Sequence, residues 1–113
     1  RSDRPARFAA LSARVGSIGD NGLGGWYAYR AAKAALNQLI HTAAIEVKRS
    51  HPHAVLCSYH PGTVATPLTA TYANGHPTVT PETAAENLLD VLAGLTPADT
   101  GGFFDWQGKT IPW

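Results

Sequence analysis

Apolar residues fall along the chain in clusters, and each cluster has its own rhythm. Phe8-Ala9-Ala10-Leu11 is a short unbroken run after a polar, proline-containing lead, which predicts a buried strand. Residues 12–25 carry Gly16, Gly19, Gly22, Gly24 and Gly25, and Asp20-Asn21 besides, the composition of a loop with a turn in it. From Trp26 or Tyr27 the rhythm changes. Leu36, Leu39, Ile40, Ala43, Ala44 and Val47 recur at helical intervals and predict a helix to about Ser50, stopped by His51-Pro52. Ala54-Val55-Leu56-Cys57-Ser58-Tyr59 is continuous rather than alternating, as in a parallel strand covered on both faces, and His60-Pro61-Gly62 ends it. Residues 63–79, rich in Thr, Pro and Gly, read as a long irregular segment: a binding loop or lid, or else a disordered stretch. Thr80-Pro81-Glu82 opens a second helix with a cap, an early proline and an acid in the first turn. Its apolar face is Ala84, Leu88, Val91, Leu92 and Leu95, and Gly94 and Pro97 close it. Phe103-Phe104-Asp105-Trp106 then makes a short strand, and Gln107-Gly108-Lys109 turns toward Ile111-Pro112-Trp113. The order strand, helix, strand, helix, strand predicts a parallel α/β sheet with helices on both faces.

Composition narrows the function classes. The chain has 113 residues, 44% apolar and 15% charged, which suits one globular domain or part of one. A net charge of +1 without a basic run points to neither nucleic acid nor an anionic membrane surface. No apolar run approaches the ~18 residues of a membrane span, and the start lacks a signal-peptide pattern. Cys57 is the one cysteine, so no internal disulfide forms, and a reducing, cytoplasmic setting fits. The chain opens Arg1-Ser2-Asp3 and contains no methionine, so the expectation is a fragment or a processed chain.

The chemistry centres on Tyr29-Arg30-Ala31-Ala32-Lys33. One helical turn separates Tyr29 from Lys33, so phenol and ammonium project from one face. An ammonium beside a phenol favours the phenolate and lowers its pKa from about 10. A tyrosine tuned that way can give or take a proton near neutral pH. The spacing is common in helices and counts only together with its neighbours. Tyr27 has Ala31 four places on and reads as packing or substrate wall, and Arg30 as a solvated or interface residue. Asn37, one turn past Lys33, reads as a structural amide, with a bond along the same face as the alternative. His51 and His53 lack the cysteine or acid cluster of a metal site. His60 reads as a packed, hydrogen-bonded histidine, with support of the site as the alternative, and Cys57 as a small core residue. Trp26, Tyr72, Trp106 and Trp113 read as core or interface aromatics, with pocket lining as the alternative.

Three motifs in order carry a family resemblance: Ser12-Ala13-Arg14-Val15-Gly16-Ser17, then Tyr29 through Lys33, then Pro61-Gly62-Thr63-Val64-Ala65-Thr66. Together they resemble the C-terminal half of the short-chain dehydrogenase/reductase family. The segments Gly16–Asn21 and Gly101–Trp113 look like its C-factor-like carbonyl reductase branch. The resemblance implies an α/β Rossmann-like, doubly wound parallel sheet. Residues 1–113 would be the C-terminal portion of a single domain whose cofactor-binding N-terminal half is absent. It implies an NAD- or NADP-dependent oxidoreductase acting on a small carbonyl or alcohol substrate. Tyr29 would be the general acid/base. Lys33 would lower its pKa and hold the nicotinamide ribose. A serine would hold the substrate oxygen, and Pro61, Gly62, Thr63, Val64 and Thr66 would lie along the cofactor.

Departures from the pattern matter. Ala13 stands at the usual place of the catalytic serine, so the role would pass to Ser12 or Ser17, with Ser17 slightly favoured by its spacing to Tyr29. The glycine-rich pyrophosphate fingerprint is absent, so the 113-residue chain by itself is expected to be inactive. It is expected to pair with itself or with the absent half. The alternative is a non-catalytic fragment, or a binding or signalling relative that keeps the fold without turnover. An extended-branch epimerase is disfavoured by the short tail after Pro61-Gly62.

Overall fold

The computed structural model describes residues 6–62 and 79–113. Three strands, β1 (Arg7–Leu11), β2 (Val55–His60) and β3 (Phe103–Asp105), form a parallel sheet in the order β1-β2-β3. Two helices, α1 (Tyr27–Lys48) and α2 (Pro81–Gly94), fill the connections. Leu11 pairs with Tyr59, and His60 with Asp105, so the carboxyl ends of all three strands lie side by side.

Alternation along the strands assigns the helices to opposite faces. Val55, Cys57 and Phe104 gather with Leu95, and Ala9 and the α2 residues Val91 and Leu92 pack against them. Phe103, next along β3, points the other way. Its ring stacks on Trp113 with centroids 5.5 Å apart, and Trp113 meets His41 of α1 edge-on at 5.4 Å. The chain steps across the sheet in one direction while its helices change face. The two crossovers therefore have opposite hands, a departure from the usual right-handed rule.

The central strand matches its unbroken apolar sequence, with Val55, Cys57, Ser58 and Tyr59 all buried. The first strand does not. The unbroken run Phe8-Ala9-Ala10-Leu11 by itself predicts burial, yet among the described residues β1 is an edge strand, and Phe8 and Leu11 remain 56% and 57% exposed. Within α1, Ala44 is buried as its periodicity predicts, but Leu39 is 67% exposed. The apolar positions of α1 extend round the helix beyond the stripe that the sheet covers.

The predicted loop after β1 contains a single 3-10 turn, Arg14–Gly16. The start of α1 is set by Trp26, held in the left-handed region at φ 55°. At α2 the Thr80 hydroxyl accepts the Thr83 N–H at 3.1 Å, and Pro81 follows as the first helical residue. A second 3-10 turn, Pro97–Asp99, has a capping box in which the Thr96 N–H donates to Asp99 at 2.7 Å. The last residues return to the loop after β1, where the Ile18 and Gly19 N–H groups donate to the Trp113 carbonyl at 2.6 and 3.0 Å. Among the described residues no helix is long and apolar enough to cross a membrane.

Candidate functional site

Tyr29, Lys33, Asn37 and His41 stand four apart on α1 and make one polar row along the face turned to the sheet. Lys33 Nζ donates to the Leu11 carbonyl at 3.2 Å. Asn37 Oδ1 accepts the Ser12 hydroxyl at 2.7 Å, and His41 Nδ1 lies 2.8 Å from the Gly101 carbonyl. At the open end of the row, the Lys33 ammonium is 5.7 Å from the Tyr29 ring centroid, within cation–π range. Tyr29 is 44% exposed and leans on Trp26 with centroids 5.8 Å apart. The two residues predicted to work together are thus brought together, and one of them reaches solvent.

The turn after β1 is pressed onto this row at Gly16. A Cβ there would sit 2.8 Å from Lys33 Cβ and 3.1 Å from Asn37 Nδ2, so no larger residue fits without displacement. Arg30 clamps the loop from the other side, donating to the Gly25 and Gly24 carbonyls at 2.8 and 3.0 Å.

Both candidate serines are buried and engaged. Ser12 gives its hydroxyl to Asn37. The Ser17 hydroxyl donates to the Pro112 carbonyl, and its oxygen accepts the Asp20 N–H at 3.0 Å. Asn37 is buried and accepts the Ser12 hydroxyl, while its Nδ2 has no hydrogen-bond partner among the described residues. Ala13, in extended conformation, brings no hydroxyl.

Sequence reasoning missed Arg14 and Asp105, which tie the carboxyl ends of the strands together. The Arg14 backbone N–H donates to His60 Nδ1 at 3.1 Å. Its guanidinium reaches Asp105 at 3.1 Å and Asp20 at 3.5 Å. Asp105 is buried, and its other oxygen accepts the Gln107 and Lys109 N–H groups, each at 2.9 Å. An acid inside the apolar run Phe103-Phe104-Asp105-Trp106 was the available signal. Burial, and then the Arg14 charge, push the His60 pKa down against an opposing pull from Asp105. Burial, reinforced by Asp105, pushes the Tyr59 phenol up.

Pro61 and Gly62 follow β2 at this same edge. Gly62 has φ +79°, and a Cβ there would lie 3.1 Å from the Trp106 indole, so Trp106 covers this turn. Thr63, Val64, Thr66 and Tyr72 lie outside the described residues. Trp113 does line a space, a cavity of about 330 Å³ shared with Ile18, Asn37 and His41. Cys57 is fully buried, and burial followed by the Asp99 charge pushes its thiol up to about 11, as befits a core residue. Among the described residues no group of three His, Cys, Asp or Glu gathers where a metal ion could be held. Open parallel α/β sheets bind ligands outside the carboxyl ends of their strands, and Lys33, Arg14 and Pro61-Gly62 all stand there.

No family model matches the chain. Individual proteins do. It is 37% identical to 1-hydroxy-2-glutathionyl-2-methyl-3-butene dehydrogenase of Rhodococcus sp. (strain AD45), over 96% of this chain and 47% of that protein. It is 36% identical to the C-signal of Myxococcus xanthus, over 95% of this chain and 61% of that protein. The chain therefore spans about half to three fifths of the length of these curated relatives. Among solved structures it superposes on the carbonyl reductase Sniffer of D. melanogaster with a TM-score of 0.82 at 29% identity, covering 96% of this chain and 41% of that one. On the NADPH-bound carbonyl reductase from chicken fatty liver the TM-score is 0.78 at 30% identity, covering 96% and 43%. The parallel sheet and these likenesses to oxidoreductases along nearly the whole chain agree: in sequence and in fold the chain matches the C-terminal part of the Rossmann domain of the short-chain dehydrogenase/reductase family.

Proposed function

We propose that this chain carries the proton-transfer half of a nicotinamide-dependent oxidoreductase site that acts on a carbonyl or alcohol. The observation that carries the reading is the Lys33 ammonium, 5.7 Å from the Tyr29 ring on one face of α1 and pinned to the end of β1. In reduction, the Tyr29 hydroxyl gives its proton to the oxygen of the substrate. Lys33 stabilises the phenolate left behind, because a cation fixed beside it offsets the new negative charge. The groups present suit a nicotinamide nucleotide: an ammonium and a phenol stand together to hold its ribose. Such a cofactor, when bound, supplies the hydride. A neighbour's NADPH favours NADP over NAD here. Ser12 and Ser17 hold the loop through Asn37 and Pro112, and among the described residues this reading gives the proton transfer to Tyr29. A buried thiol and no second cysteine agree with a reducing, cytoplasmic setting.

The test is Tyr29→Phe in the full-length parent protein, a change that keeps the ring and removes the hydroxyl. Cofactor oxidation over a panel of carbonyls should fall by about 10²-fold or more, the usual worth of a positioned acid. Undiminished turnover would sink the assignment. The second reading is a signalling relative without turnover, and Ala13 at the serine position together with the likeness to the C-signal favours it. A full-length parent protein that reduces no carbonyl with either nicotinamide cofactor would select that reading.

A further inference from the structure

Arg14 directly follows Ala13, and His60 directly precedes Pro61-Gly62. The bond from the Arg14 N–H to His60 Nδ1, 3.1 Å long, thus joins the turn after β1 to the turn after β2. It forms only if Nδ1 carries no proton, which fixes a neutral imidazole with its hydrogen on Nε2. The Arg14–Gly16 turn is in turn packed against Lys33 through Gly16. Any shift of this turn therefore reaches the Tyr29–Lys33 pair.

We propose that His60 is a positioning residue: as a neutral imidazole it holds the Arg14–Gly16 turn, and through it Lys33 and Tyr29, in register with Pro61-Gly62, and protonation at Nδ1 releases this brace. The role rests on the reading of Tyr29 and Lys33 as the reacting pair. A proton on Nδ1 would set a donor against a donor and place a cation near the Arg14 guanidinium. The charged groups around His60 are Arg14 and, one strand over, Asp105. Asp105 is already committed to Arg14, Gln107 and Lys109. Asp20 is tied to Arg14, Tyr59 next to His60 is an uncharged phenol, and Lys33 on α1 is held by the Leu11 carbonyl.

The direction of the pH effect follows. Burial and Arg14 depress the folded-state pKa of His60 below its ordinary value of about 6.5. The unfolded chain therefore takes up the proton first. The stabilisation is fully present above the ordinary value and is lost as pH falls through the depressed one.

The test compares the wild type with His60→Asn, whose amide oxygen can stand near the Nδ1 position but does not titrate, and with His60→Ala. Imidazole nitrogen shifts, Tyr29 ring shifts and exchange of the Arg14 amide are followed by NMR on the 113-residue chain, and turnover against pH on the enzyme. In the wild type, acid should lower the protection factor of the Arg14 amide, taken relative to its intrinsic exchange rate at each pH, roughly tenfold, the worth of one ordinary hydrogen bond, with the Tyr29 ring shifts following the same titration. His60→Asn should keep Arg14 protected at all pH values and keep neutral turnover while losing the acid limb. His60→Ala should exchange fast throughout and lose kcat rather than raise KM. A His60 with its proton on Nδ1, or an Arg14 protection factor indifferent to pH and to His60→Ala, would overturn the proposal. A wild type with the expected NMR titration but no turnover would instead count against the oxidoreductase reading alone, since the brace is read without it.

Discussion

Gly16 is the residue on which the site depends most for space. Its missing side chain lets the turn after β1 lie on Lys33 and Asn37, with the would-be Cβ at 2.8 and 3.1 Å from them. Gly16→Ala should therefore destabilise by about 1–3 kcal/mol, the usual cost of overpacking, and lower the melting temperature by several degrees. Gly22→Ala is the control, because a Cβ there meets nothing within 4 Å. A Gly16→Ala protein that melts with the control would show that the turn can lift away freely. At this scale the Tyr29–Lys33 pair was legible, because four residues on one helix are one turn whatever surrounds them. The Arg14, His60 and Asp105 contacts were not, since their partners lie 46 and 91 residues apart in the chain. Nor could spacing tell that both loop serines spend their hydroxyls inside the protein.

Among the elements, the helix α2 is the one most dependent on its ends. None of its residues is fully buried, so its packing contributes less than that of an enclosed helix, and its cap correspondingly more. Thr80 supplies that cap, accepting the Thr83 N–H at 3.1 Å. Thr80→Ala should cost about 1 kcal/mol and speed hydrogen exchange in the first turn of α2 relative to α1. Equal exchange in mutant and wild type would mean the cap is dispensable. The cap-proline-acid signature made this start readable to the residue. The same local reading failed for β1: an apolar run predicts a strand, but whether a neighbour covers it depends on strand order, which periodicity does not contain.

At the scale of the whole molecule, the order β1-β2-β3 leaves the outer edge of β1 without a partner strand among the described residues. Phe8 and Leu11 are more than half exposed on it, and Tyr27, Leu39 and Ile45 of α1 stand 88%, 67% and 51% exposed. Unpaired strand edges and large apolar surfaces recruit other chains. We therefore expect the 113-residue chain to associate, either with itself or with the further length that its relatives possess. Light scattering should report a species larger than the monomer. A monodisperse monomer that binds a nicotinamide cofactor at micromolar strength would contradict this, because the glycine-rich pyrophosphate turn is not in this sequence. What the sequence alone determined is what neighbouring residues decide among themselves: the parallel α/β succession, the ends of its helices and the Tyr29–Lys33 spacing. Hydrophobic period, capping chemistry and helical pitch act over a few residues and need no distant partner. The tertiary structure alone decided that the two crossovers have opposite hands and that Arg14 links all three strand ends. Each of these is a relation between segments tens of residues apart, set by register and packing rather than by any local preference.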